Sequence, residues 1–168
     1  MKGWGFYILA AIGFVVYGAT MDVDRETDVD REMDVDRDDS GAIVDGGTVD
    51  EFKLQVGDCF NDAGTFVGQI VSDPSVPCSE PHDNETYAVF DVDFESYPAE
   101  GGMNQLAYDA CMVRFESFVG KEYKTSALEI ATMYPSIESW GQDDREVVCA
   151  VFDVNANQLV GSAAGRGL

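Results

Sequence analysis

Residues 76–90 read VPCSEPHDNETYAVF, a stretch that holds one cysteine, the only histidine of the chain and two prolines. Each proline fixes its own backbone dihedral angle and disfavours a helix at the residue before it. Cys78 and His82 are therefore expected in a stiff loop that leads directly into a strand. That strand, residues 86–92, is apolar on both of its alternating faces, which is typical of the middle of a covered sheet.

Alternation of apolar and polar residues predicts further strands on either side of this loop. They are residues 52–56, 65–71, 145–152 and, as a short edge strand, 158–162. Residues 134–140 predict a turn that Pro135 opens as one turn of helix. The last residues, 163–168, are expected to be frayed.

Residues 103–119 carry the clearest helix pattern in the chain. Their apolar residues recur at spacings of three and four, and Gly120 follows as a stop signal. Cys111 lies on the apolar stripe, so it is expected to face the sheet. These elements together predict an α+β fold, in which one main helix packs on an antiparallel sheet of four to six strands.

The four cysteines form an even set with no C-x-x-C pair. This argues against zinc ribbons and thioredoxin-like motifs and favours two disulfides in an oxidising compartment. Three pairings are possible, and we favour Cys59 with Cys78 and Cys111 with Cys149. The first bridge would tie a strand end to the loop, and the second would staple the helix to a central strand.

The N-terminal part of the chain differs in composition from the rest. Residues 3–21 carry no charge and are long enough to cross about 30 Å of hydrocarbon as a helix. Lys2 before them and Asp22 after them favour an N-terminus on the inside, whereas a cleaved signal peptide is the alternative. The predicted parts are a transmembrane anchor at 1–21, an acidic repeat linker at 22–51 and an extracytoplasmic domain at 52–168.

The linker begins with a hexapeptide that occurs three times in residues 21–38, as MDVDRE, TDVDRE and MDVDRD. So polar a run cannot bury enough apolar surface to offset its ordering entropy, and a solvated spacer is expected. A calcium loop is the alternative for residues 36–43, whose acidic and glycine positions match the first part of such a loop. Gly47, however, stands where the final glutamate ligand is required.

The net charge of −22 leaves no basic patch. This argues against nucleic acid and anionic lipid surfaces as partners. A membrane contact is expected only through the N-terminal helix, and basic partners or divalent cations are compatible with the charge.

Cys78 and His82, four residues apart, are candidates for a nucleophile or a metal site. A nucleophile needs a free thiolate, which an oxidised cysteine cannot supply, and a metal needs two further ligands. His82 is therefore predicted to bond to loop backbone or to a carboxylate such as Asp83 or Glu85, or to face a partner. We expect no catalytic residue, metal ligand or cofactor, and we assign His82 and Trp140 as candidate binding residues.

An ordered set of short motifs runs through residues 54–162. The motifs include VGDCFN at 56–61, VPCSEPHD at 76–83, Cys111 with Phe115, ESW at 138–140 and DREVVC at 144–149. This set resembles the septum-formation domain family of bacterial envelope proteins. The resemblance implies an extracytoplasmic domain with four paired cysteines, often tethered by one membrane span, and it implies no reaction.

The expected function is non-enzymatic. We expect a single-pass protein of the bacterial cytoplasmic membrane, with its N-terminus inside, whose outer domain binds or organises envelope components. An accessory subunit of a larger membrane complex would be one form of that role, with an envelope or membrane protein as its partner. The alternative is an envelope hydrolase that uses carboxylates near His82.

Overall fold

The computed structural model describes residues 35–49, 53–62, 73–98 and 101–168. The strands in these ranges are β1 (Asp36–Arg37), β2 (Ile43–Asp45), β3 (Gly47–Val49), β4 (Cys59–Phe60), β5 (Asp73–Val76), β6 (Asn84–Asp91), β7 (Leu128–Met133) and β8 (Glu146–Asp153). β1 and β2 form a hairpin, and the other six strands form one antiparallel sheet in the order β3-β5-β4-β6-β8-β7. The predicted α+β class and strand number are confirmed.

The central position of β8 follows from its residue pattern. Its odd-numbered apolar residues, such as Val147 and Val151, pack in the core cluster beneath the main helix. Val148 and Ala150 belong to a second cluster on the opposite face of the sheet. Because both faces of the strand are covered, an unbroken apolar run is required there, as the sequence predicted.

The main helix is α1 (Gly102–Val119), and it covers one face of the sheet. Its buried residues recur at intervals of four and form one stripe: Met103, Ala107, Cys111, Phe115 and Val119. The helix ends at Gly120, which adopts a left-handed conformation with φ 78° and donates its backbone N–H to Glu116 O. A left-handed cap of this kind favours glycine, so the predicted stop signal is explained.

Both predicted disulfides are present. Cys59 is bonded to Cys78, and Cys111 on α1 is bonded to Cys149 in the middle of β8. The helix is thus covalently joined to a central strand, as predicted from the apolar stripe.

The main sheet includes residues that precede the predicted domain start at residue 52. β3 pairs with β5 inside the main sheet, although it lies in the segment that was predicted as linker. Ile43 and Val49 are buried within this acidic segment and supply the apolar contacts that order it. Residues 1–34, with the predicted anchor and the first two repeats, lie outside the described residues, as does the predicted strand at 65–71.

Among the described residues, no helix combines the length and the apolar character that crossing a membrane requires.

The segment considered as a calcium loop forms the turn of the β1-β2 hairpin. Oδ1 of Asp38 accepts hydrogen bonds from Ser40 N at 2.8 Å, Ser40 Oγ at 2.6 Å and Ala42 N at 3.1 Å. This carboxylate oxygen stabilises the turn itself. Calcium binding by these residues stays a prediction.

The C-terminal residues 163–168 are packed on the domain, so the prediction of a frayed tail was wrong. Gly165 N donates to Phe118 O at 2.7 Å and Gly167 N to Val119 O at 2.8 Å, at the end of α1. Ala163 is fully buried. The predicted edge strand at 158–162 is reduced to a single bridge, which joins Leu159 to His82.

Candidate functional site

The Pro-His loop, residues 76–83, is held against the C-terminal segment by backbone bonds. His82 N donates to Leu159 O at 3.0 Å, and Leu159 N donates to His82 O at 2.7 Å. Gly161 N donates to Cys78 O at 2.7 Å. Together with the disulfide to Cys59, these bonds make the loop as stiff as its prolines predict.

The imidazole of His82 is fully buried. Its Nδ1 lies 2.8 Å from Glu80 O, and because a carbonyl only accepts, Nδ1 carries the proton. Nε2 is buried and has no hydrogen-bond partner among the described residues. The bond to loop backbone is one of the structural contacts predicted for this ring.

Glu85, three residues further on, is also fully buried. Its Oε1 accepts from Ser162 Oγ at 2.5 Å, and its Oε2 accepts from Ala163 N at 2.5 Å. The carboxylate therefore links β6 to the C-terminal segment. Sequence reasoning considered Glu85 as a partner of His82 or as a carboxylate of the hydrolase alternative, because nothing in the sequence places residues 162 and 163 beside it.

Three potential metal donors meet under the loop. Donor atoms of Cys59, His82 and Glu85 all lie within 4.8 Å of one another. Zinc and related metals bind the thiolate form of cysteine, however, and the sulfur of Cys59 is bonded to Cys78. In the oxidised chain the cluster offers two ligands, fewer than the three or four protein ligands of zinc sites.

Glu80 and Glu85, two carboxylates near His82, lie in different surroundings. Glu80 is exposed, whereas Glu85 is sealed beneath the C-terminal segment. A carboxylate pair for glycoside hydrolysis must flank one substrate bond, so both groups have to reach the same space. These two carboxylates face different surroundings and do not form such a pair.

The second predicted binding feature is the turn around Trp140, where α2 spans Ile137–Trp140. Ser136 and Ser139 form a reciprocal capping box, with each hydroxyl accepting the other residue's backbone N–H at 3.0 Å. The indole is only 8% exposed, and the Arg145 guanidinium stacks over it at 3.7 Å. The turn is therefore a rigid platform.

The outer side of this platform carries an apolar residue that sequence reasoning missed. Ile137 is 69% exposed, and nearby Tyr134 is partly exposed, with its hydroxyl accepting from Asn104 Nδ2 at 3.1 Å. Ile137 and Trp140 are three residues apart in sequence. No sequence signal shows which of the two is buried.

His82 and Trp140 lie at opposite ends of β6. His82 precedes the first residue of β6, whereas Arg145, the neighbour of Trp140, accepts a backbone bond from Val92 just after its last residue. An eight-residue strand is about 23 Å long. Both predicted binding residues are buried, so the binding role predicted for them would act through the backbone and the side chains that they support.

An acidic pair lies beside the Trp140 turn. Glu146 stands opposite Asp91 in the ladder between β6 and β8, and its Oε1 is buried with no partner among the described residues. Burial is the main cause that raises the pKa of Glu146, and the negative charges of Asp91 and Asp144 add to it.

Glu146→Gln is expected to stabilise the domain at neutral pH. The pKa of this carboxyl is higher in the folded state than in the unfolded state, where it has the ordinary glutamate value of about 4.3. The protein therefore loses stability as pH rises from the unfolded-state pKa to the folded-state pKa. In urea unfolding at pH 7 the variant should therefore have the higher free energy of unfolding. The difference from the native chain should shrink towards pH 3.5, where the carboxyl is protonated in both the folded and the unfolded state. Glu116→Gln, at an exposed position on α1, serves as the control. A variant less stable than the native chain at pH 7 would contradict the expectation.

Comparison with known proteins places these features in one family. The family model described as septum formation matches residues 46–149. The matched range contains the Pro-His loop, all four cysteines and the Trp140 turn. No curated protein and no solved structure matches the chain significantly.

Proposed function

The chain belongs to the septum-formation family, and from this membership we propose that it is a non-enzymatic domain that binds or organises components of the bacterial envelope. The family indicates a role in cell division or the cell envelope. The finer proposal is an extracytoplasmic domain held at the cytoplasmic membrane by residues 1–21. It would act as an accessory subunit beside a membrane or envelope protein.

The uncharged run at residues 3–21 supports the anchor, because its length suits one membrane span. Two disulfides support an oxidising compartment on the outer side of that membrane.

The bonding of the polar residues near the Pro-His loop supports a role without catalysis. The two acids that are buried there are both engaged in structure: Glu85 holds the C-terminal segment, and Asp58 pairs with Arg37. The His82 ring is closed off from solvent. A general acid or base has to reach a substrate proton, which these sealed groups cannot do without opening the fold.

The observation that carries the binding proposal is Ile137 on its rigid turn. An exposed apolar side chain held by a capped, aromatic-braced turn loses little conformational entropy when a partner covers it. Such preorganised apolar anchors dominate many protein interfaces.

Ile137→Asp is expected to remove a partner that accompanies the native protein. The intact chain would be purified in mild detergent, and the accompanying proteins would be identified by mass spectrometry. Loss of an anchor contact costs about 2 kcal/mol, or roughly 30-fold in affinity, so recovery of the partner should fall sharply.

Val154→Asp is the matched control, because Val154 is 52% exposed but follows the far end of β8. Retention of the partner by Ile137→Asp, or equal loss in both variants, would refute the role of this turn. Hydrolysis of a wall glycan by the native protein that disappears in a folded His82→Ala variant would instead support the hydrolase alternative.

A further inference from the structure

Residues 35–38 of the third hexapeptide repeat are part of the folded domain. The guanidinium of Arg37 forms two bonds to the Asp58 carboxylate, with NH1 to Oδ1 at 2.5 Å and NH2 to Oδ2 at 2.7 Å. Asp58 is almost completely buried, and its Oδ2 also accepts from Gln55 N at 2.8 Å. A two-point arginine bond to a buried carboxylate is both strong and geometrically specific.

The two residues before Arg37 complete the contact. Val35 packs against the core cluster on the face of the sheet away from α1. Asp36 and Arg37 form β1, in register with Asp45 and Ile43 of β2. A Val-Asp-Arg triplet therefore supplies the apolar contact, the backbone ladder and the ion pair.

The same triplet occurs at residues 29–31 and at residues 23–25, each time six residues earlier. Moving the chain by one repeat places valine, aspartate and arginine at the same three positions. We propose that the site around Asp58 is a receptor for the Val-Asp-Arg triplet, and that residues 29–31 of the same chain exchange with residues 35–37 in it.

The exchanged register is a minor state. The loop between the docked arginine and Ile43 grows from five residues to eleven, which disfavours closure by about threefold. The turn bonds of Asp38 and the bond from Arg37 NH1 to Gly41 O are lost as well. These losses make the second register the minor one, and we expect its population within the range of about 0.1 to 10% that minor conformations commonly occupy.

Exchange changes the length of chain between the N-terminal segment and the domain. One step takes up six residues, or at most about 20 Å of extended chain. On the proposed membrane topology, the repeats would be a tether whose reach changes in fixed steps. This consequence rests on the proposed function, whereas the exchange itself does not.

The test is a mutant cycle on the intact protein, with urea unfolding as the measurement. Arg37→Ala is expected to raise the unfolding equilibrium constant by about 10- to 1,000-fold, the cost of using the second register. Arg31→Ala alone is expected to change nothing. In the Arg37→Ala background, Arg31→Ala should raise the constant by a further tenfold or more, because the replacement arginine is then gone.

Arg114→Ala, on the exposed face of α1, is the control and should have the same effect in both backgrounds. An Arg31→Ala effect of zero in the Arg37→Ala background would overturn the proposal. Light scattering tests a second outcome that would overturn the proposal. If Arg31 takes the place of Arg37 only in dimers, at high protein concentration, the triplet binds a neighbouring copy instead. Neither measurement depends on an envelope partner, so the proposed function can fail independently.

Discussion

Replacement of Cys111 and Cys149 together by alanine is expected to lower the free energy of unfolding by about 4 kcal/mol. The bridge joins positions 38 residues apart and connects α1 to the middle of β8. Without it the unfolded chain gains the conformational freedom of that loop. Both residues are fully buried, so lost sulfur contacts add to the effect. Urea unfolding without reductant measures the change.

The bridge between Cys59 and Cys78 provides the comparison. Its positions are only 19 residues apart, and the same chain-entropy relation gives about 3 kcal/mol for the corresponding alanine pair. The order of the two variants tests the cause. A larger loss for the Cys59 pair would show that contacts around the Pro-His loop, not loop closure, determine the contribution of these bridges.

The elements that the sequence predicts well are those whose signal is local. The stripe on α1 repeats every four residues, which places Cys111 against the sheet. The run through β8 is apolar on both faces, which places Cys149 in its centre. Because each pattern is complete within one element, the helix, the central strand and the bridge between them follow without knowledge of the rest.

The contacts that the sequence does not predict join residues that are far apart in the chain. Several of them use backbone N–H and C=O groups, which carry no sequence signal. The C-terminal tail is fixed by backbone bonds from Gly165 and Gly167 to α1, and backbone donors leave no mark on composition. Arg37 reads as one charge in a solvated acidic repeat. Only the fold brings Asp58, 21 residues later, under its guanidinium.

The candidate site shows the same limit. His82 is buried with its backbone bridged to Leu159 and its ring bonded to Glu80, and its position directly after Pro81 reveals neither contact. The helical turn before Trp140 was predicted correctly from Pro135 and its neighbours. Which side chain it presents depends on Arg145 stacking over the indole, a contact that leaves Ile137 outside.

Glu85→Ala is expected to lower the free energy of unfolding by about 3 kcal/mol. The substitution removes two charge-assisted hydrogen bonds and leaves the N–H of the fully buried Ala163 without its acceptor, whereas the hydroxyl of the exposed Ser162 can bond to water. Relief of the buried negative charge acts in the opposite direction. The loss should prevail, because both bonds disappear and the Ala163 N–H would be desolvated without a partner. Glu80→Ala, at an exposed position of the same loop, should change stability by less than about 0.5 kcal/mol.

Hydrogen exchange separates a local role of Glu85 from a global one. In the Glu85→Ala variant the amide of Ala163 should lose its protection, because its acceptor is gone. The amides of Gly165 and Gly167 bond to carbonyls of α1 and should remain protected if the tail is held there independently. Loss of protection at all three amides would mean that Glu85 holds the whole C-terminal segment on the domain. A Glu85→Ala variant as stable as Glu80→Ala would contradict the expected loss. It would show that the free-energy cost of desolvating the Glu85 carboxylate equals the stabilisation by its two hydrogen bonds.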